Sequence, residues 1–153
     1  MTAKVGLPRL TRVHDVMQAA VVEIPVGATR EVAAATLAEH HVSGAPVRSA
    51  SGELMGMISA SDLLDPTRSS ESVDQLMTRI AYSVRAEDPV MVAVNLLAQT
   101  RVHRLLVVNA NAEICGILTP TDIVLALAGG LRLPDDDDHA PIAFTRLPSP
   151  RRE

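Results

Sequence analysis

Two short segments hold the residues best suited to chemistry, and they share one layout. Gly56-Met57-Ile58-Ser59-Ala60-Ser61-Asp62 returns sixty residues later as Gly116-Ile117-Leu118-Thr119-Pro120-Thr121-Asp122. In each, an apolar run ends in a hydroxyl residue, Ser59 or Thr119, and a carboxylate, Asp62 or Asp122, stands three positions on. A hydroxyl beside the unpaired N–H groups of a helix start suits an anion such as phosphate. A carboxylate only accepts hydrogen bonds, so it can take both hydroxyls of a ribose at once. The same spacing also serves simple helix capping, because Ser and Thr cap helices and the dipole favours Asp in a first turn. Capping alone does not explain why the same glycine-bearing run precedes both copies. A duplicated grip points to holding a nucleotide rather than to turnover.

The elements that position these grips repeat as well. At a shift of sixty, Val13 falls on Val73, Met17 on Met77, Ala33 on Ala93, Leu37 on Leu97, Val42 on Val102 and Val47 on Val107. An ungapped repeat of this length sets the architecture. Each copy reads as a strand (20–24, then 81–84), a helix (29–41, then 89–101), two strands (45–48 with 55–58, then 105–108 with 114–118) and a final helix that opens at the hydroxyl. Thr29 suits an N-cap, and Asp88-Pro89 offers a cap followed by an N1 proline. Ser49–Gly52 and Asn109–Ala112 read as turns. The fold class is α/β (α+β), strand-helix-strand-strand-helix twice over. The organisation is an extension over 1–12, a first motif over 13–65, a linker over 66–72, a second motif over 73–128 and a disordered tail over 129–153.

Composition narrows the partners. The net charge is −4, and Tyr82 and Phe144 are the only aromatics in 153 residues. A nucleic-acid partner calls for positive charge and stacking platforms, so none is expected. The 47% hydrophobic content is enough for an aliphatic core. Cys115 is the single cysteine, which excludes an intrachain disulfide and a CxxC site. No signal-peptide pattern or membrane-length apolar run occurs, so a cytoplasmic protein without a membrane partner is expected.

The repeat resembles the CBS (cystathionine-beta-synthase) domain, and the chain is similar to a stand-alone CBS pair. The resemblance rests on the leading segments Val13–Met17 and Val73–Met77, on His41-Val42-Ser43-Gly44-Ala45-Pro46-Val47, on His103-Arg104-Leu105-Leu106-Val107-Val108, and on both Gly-x-x-Ser/Thr-x-x-Asp segments. It implies two motifs related by an intrachain pseudo-twofold, with ligand clefts between them, and a tendency to pair into a homodimer. It also implies an adenosine-containing ligand, such as AMP, ADP, ATP or S-adenosylmethionine, with no required cofactor. Asp62 and Asp122 are then the ribose ligands, and His103-Arg104 faces phosphates. The first copy has Ser43-Gly44 in that place, so the two grips differ. For the base, the apolar candidates are Val21, Val22, Ala45 and Pro46, with Ile80, Tyr82, Leu105 and Leu106; strand alternation admits only half of them.

Other clusters point elsewhere less well. His40-His41 would need further ligands at suitable spacing to hold a metal, and Asp135–Asp138 with His139, metal-like in composition, reads as a solvated tail without fixed geometry. His14-Asp15 and His103 lack a triad-like arrangement, so the expected activity is not enzymatic. The expectation is a regulatory adenine-nucleotide sensor; the alternative is a ligand-free dimerisation module. In that second reading the apolar helices over 89–100 and 123–128 drive self-association.

Overall fold

The computed structural model describes residues 11–68 and 72–131 of the chain. Most of the extension, the middle of the linker and nearly all of the tail, including Asp135–Asp138 and His139, lie outside the described residues. The element order is α1 (Val13–Val16), β1 (Ile24–Pro25), α2 (Arg30–Glu39), β2 (Gly44–Arg48), β3 (Leu54–Ser59), α3 (Ala60–Leu64), α4 (Val73–Leu76), β4 (Ser83–Arg85), α5 (Val90–Thr100), β5 (Leu105–Val108), β6 (Ile114–Leu118) and α6 (Pro120–Ala128).

Both sheets have the same plan. β1 runs parallel to β2, and β2 antiparallel to β3; β4, β5 and β6 repeat that order. The bulge at Val47/Arg48 returns at Val107/Val108. The turns repeat too. Gly52 N–H donates to the Ser49 carbonyl and Ala112 N–H to the Asn109 carbonyl, both at 3.0 Å. The left-handed turn conformation is held by Gly52 (φ 87°) in one and by Ala112 (φ 61°) in the other.

The chain divides into two compact units, and these are not the two sequence copies. One comprises residues 20–81 as far as described, the other residues 11–19 with 82–131. Each sheet thus takes its leading segment from the other copy. In the first unit the backbone of Thr78 bonds both ways with Met57, at 2.8 Å each. In the second, the Gln18 N–H donates to the Ile117 carbonyl at 2.9 Å and the Gln18 carbonyl accepts the Ile117 N–H at 3.0 Å. Glycine is what lets these segments approach. A Cβ on Gly56 would lie 2.5 Å from the Thr78 carbonyl oxygen; one on Gly116 would run into the Met17 sulfur, with the Gln18 carbonyl oxygen 3.0 Å away.

Each unit closes on its own aliphatic core. Ile24, Ala33, Leu37, Ala45, Val47, Ile58, Leu63 and Val73 fill one. Their counterparts Val84, Ala93, Leu97, Leu105, Val107, Leu118, Ile123 and Val13 fill the other. Where one core has Leu105 the other has Ala45, and it adds the buried Leu76 and Met77.

Three local expectations are corrected. The first strands are shorter and later than read, Ile24–Pro25 and Ser83–Arg85, because the ladder pairing is confined to these residues, against Val47–Arg48 and Leu106–Val108. The leading segments contain single helical turns, α1 and α4. Asp88 does not cap α5: its carboxylate accepts the Arg85 N–H at 2.9 Å, and Pro89 is the N-cap. The Thr11 carbonyl takes the Val90 N–H at 3.0 Å, which satisfies a donor that a side-chain cap would otherwise serve.

Candidate functional site

The hydroxyl-carboxylate pair of each unit sits where the last strand becomes a helix. Thr119 and Ser59 are N-caps with extended backbone (φ −117°, ψ 160° and φ −118°, ψ 160°), and each closes a reciprocal capping box with its Asp. In the second unit Asp122 Oδ2 accepts from the Thr119 backbone N–H at 2.8 Å and from its hydroxyl at 2.9 Å. The Asp122 N–H returns to Thr119 Oγ1 at 3.3 Å. Asp62 Oδ2 likewise accepts the Ser59 N–H at 2.9 Å and its hydroxyl at 2.7 Å, while the Asp62 N–H reaches Ser59 Oγ at 3.2 Å. One oxygen of each carboxylate is thus fixed inside the cap, which holds the other at a set position beside the helix start.

The remaining oxygens have different neighbours. Gln18 Nε2 donates to Asp122 Oδ1 at 2.8 Å. Asp62 Oδ1 instead has Arg68 Nη1 at 3.9 Å. That guanidinium bonds the Leu76 and Gln75 carbonyls at 2.9 Å each, at the end of α4. Sequence reading had no signal for Gln18 or Arg68, because neither belongs to the repeated pattern.

The helix starts themselves offer few donors to an anion. Pro120 has no N–H, the Ala60 N–H is bonded to the Ser43 carbonyl at 2.9 Å, and both cap hydroxyls point to their own Asp. Strand register supplies a cation nearby in one unit only. Leu105 pairs with Leu118, so half-buried Arg104 and exposed His103 lie at the sheet end where Thr119 stands. In the other unit Gly44 pairs directly with Ser59.

Strand alternation sorts the apolar candidates. Ala45 and Leu105 are fully buried and belong to the two cores. Pro46 and Leu106, one residue on, are buried and project to the opposite sheet faces. Val21 and Val22 are half-buried ahead of β1. Tyr82 is half-buried against the second core, and its carbonyl accepts the Leu106 N–H at 2.9 Å. Ile80 is 42% exposed. Ser59, Asp62, Val22, Ala45, Pro46 and Ile80 thus share one unit; Thr119, Asp122, His103, Arg104, Tyr82 and Leu105 share the other.

The remaining reactive groups are held in ordinary contacts. His14 meets the Asp15 carboxylate at 3.1 Å and the Ala86 carbonyl at 3.2 Å. His40 ends α2, and His41 follows it in the left-handed conformation. Burial pushes the Cys115 thiol up, which keeps it protonated and weakly nucleophilic. Among the described residues no group of three His, Cys, Asp or Glu is gathered, and no helix is long and apolar enough to cross a membrane. A groove lined by Arg85–Asp88 and Val108–Ala110 lies at the far end of β5 from Arg104, away from the carboxylates.

The two apolar helices have different fates. α5 buries Val90, Ala93, Leu96 and Leu97. α6 buries only Ile123 and leaves Val124 (61%), Leu125 (65%) and Leu127 (41%) exposed.

Comparison with known proteins agrees with this fold. Among solved structures, the CBS domain pair of protein MJ0100 in complex with 5′-methylthioadenosine and S-adenosyl-L-methionine superposes with a TM-score of 0.73 at 21% identity, covering 78% of this chain and 98% of that one. CBSX2 of Arabidopsis thaliana, in complex with AMP, gives a TM-score of 0.67 at 29% identity, covering 77% and 96%. In sequence the chain is 30% identical over 119 residues to protein MJ1232 of Methanocaldococcus jannaschii. It is 23% identical over 114 residues to a homoserine O-acetyltransferase of Methanohalobium evestigatum. The matched part is 77% and 74% of this chain but only 40% and 23% of those two proteins. The sequence model of the CBS domain matches twice, over residues 13–66 and 73–129, and the chain belongs to the CBS domain family.

Proposed function

We propose that the chain is a regulatory module that binds an adenosine-containing ligand (AMP, ADP, ATP or S-adenosylmethionine), with Asp62 and Asp122 as ribose acceptors. The observation that carries this reading is the duplicated capping box, which fixes one oxygen of each carboxylate and so sets the position of the other. The ligands bound by CBSX2 and by the MJ0100 pair support the adenosine part. Arg104, at the sheet end beside Thr119, is the phosphate contact, with His103 next to it; a guanidinium offers a fixed fork of donors for that task. For the base, Val22, Pro46 and Ile80 supply apolar surface in one unit, and Tyr82 and Leu106 in the other, while Ala45 and Leu105 act through their backbone. Sensing further requires that ligand favour one of two states of the protein, since equal affinity shifts nothing. No catalytic step is part of this reading, and the cytoplasm is the proposed compartment.

Thermal unfolding with each of the four ligands tests it. At ligand near 100 times its Kd the stability gain is about 2.7 kcal/mol. The gain should vanish in Asp62→Ala/Asp122→Ala. No shift with any of the four, or a shift that survives the double substitution, contradicts the reading.

A second function, self-association, is favoured by the exposed Val124, Leu125 and Leu127 on α6. The two coexist. Light scattering should show a homodimer that Leu125→Glu converts to monomer; a monomeric parent protein rules this out.

A further inference from the structure

Hydrogen-bond accounting separates the two carboxylates. A carboxylate offers about four acceptor positions, two on each oxygen. Asp122 fills two on Oδ2 with the Thr119 N–H and hydroxyl and a third, on Oδ1, with the Gln18 amide. One position stays open, and a ribose brings two donors. Asp62 fills two on Oδ2 with Ser59, and Arg68, 3.9 Å from Oδ1, is beyond hydrogen-bond distance. Two positions stay open there, one for each ribose hydroxyl.

The Gln18 contact is built on a fixed backbone. Gln18 exchanges both main-chain hydrogen bonds with Ile117, two residues before Thr119, so its side chain starts beside the end of β6. The contact spans 104 positions of sequence. The matching position of the other copy is Thr78, which has no carboxamide.

We propose that Gln18 is a specificity-determining residue: by occupying Asp122 Oδ1, it leaves the Asp122 site room for one sugar hydroxyl, so that site accepts 2′-deoxyribose nearly as well as ribose, whereas the Asp62 site prefers ribose. The inference rests on both carboxylates being sugar ligands. A second ribose hydroxyl at Asp122 gains a bond only by displacing the Gln18 amide, so its net contribution is small. At Asp62 the same hydroxyl adds a charge-assisted bond.

Calorimetry on single-site proteins tests this, with AMP and 2′-deoxy-AMP as the probes. Asp62→Ala leaves the Asp122 site, and Asp122→Ala leaves the Asp62 site. In Asp62→Ala the two nucleotides should bind within about threefold of each other; in Asp122→Ala the preference for AMP should reach about tenfold. Adding Gln18→Met, which keeps the length and removes the donor, should raise the preference in Asp62→Ala to about the same tenfold, and Gln18→Ala should do likewise. Equal ratios at the two sites, or a ratio untouched by both Gln18 substitutions, overturn the role of Gln18 while leaving the nucleotide reading intact. AMP binding that survives Asp62→Ala/Asp122→Ala overturns both.

Discussion

In the unit holding Ser59 and Asp62, α3 has five residues and its carboxylate is approached by a cation, Arg68. In the unit holding Thr119 and Asp122, α6 has nine, begins with Pro120, and its carboxylate is bonded by a neutral amide, Gln18. Sheet order, bulge, turn hydrogen bonds and capping box are the same in both. What the units share is what keeps the backbone in place. The differences gather at the open side of the carboxylate and at the sheet end, where Arg104 replaces Gly44. In this chain the scaffold is duplicated and the surroundings of the carboxylate are not.

The largest expected difference concerns the two glycines under the leading segments. Gly56→Ala sets a Cβ against the backbone oxygen of Thr78, which cannot yield without breaking the Met57 pairing. Gly116→Ala first meets the end of a flexible Met17 side chain. Urea unfolding should therefore show a loss of about 3 kcal/mol for Gly56→Ala and about 1 kcal/mol for Gly116→Ala. Equal losses would mean that the two leading segments are held alike.

A smaller effect of opposite sign is expected at the turns. Gly52→Ala puts a Cβ on a backbone that disfavours it and should lose about 1 kcal/mol. Ala112→Gly relieves the same strain in the other copy and should gain up to about 1 kcal/mol. If Ala112→Gly destabilises, the turns are not equivalent.

Much of this was legible in the sequence, for physical reasons. The bounds of β5 and β6 agree with the reading because the apolar runs meet at the Asn109–Ala112 turn and end in polar residues, Arg104 and Thr119, on their outer sides. Ser59 and Thr119 cap helices as read, because capping is local and needs only the next three residues. The exchange of leading segments was not legible, since nothing in the repeat says which sheet Val13 or Val73 will join. Gln18 was hidden for the same reason: its partner is 104 residues away, and no periodicity marks the pair. Asp88 misled because a good cap residue was pre-empted by a carbonyl from Thr11, far along the chain.

The direct test of the central claim is AMP stoichiometry by calorimetry in four proteins: the parent chain, Asp62→Ala, Asp122→Ala and the double variant, each shown by melting to be folded. One equivalent of AMP should be lost with each carboxylate, leaving none in the double variant. Unchanged stoichiometry in the folded double variant would contradict a carboxylate grip in either unit.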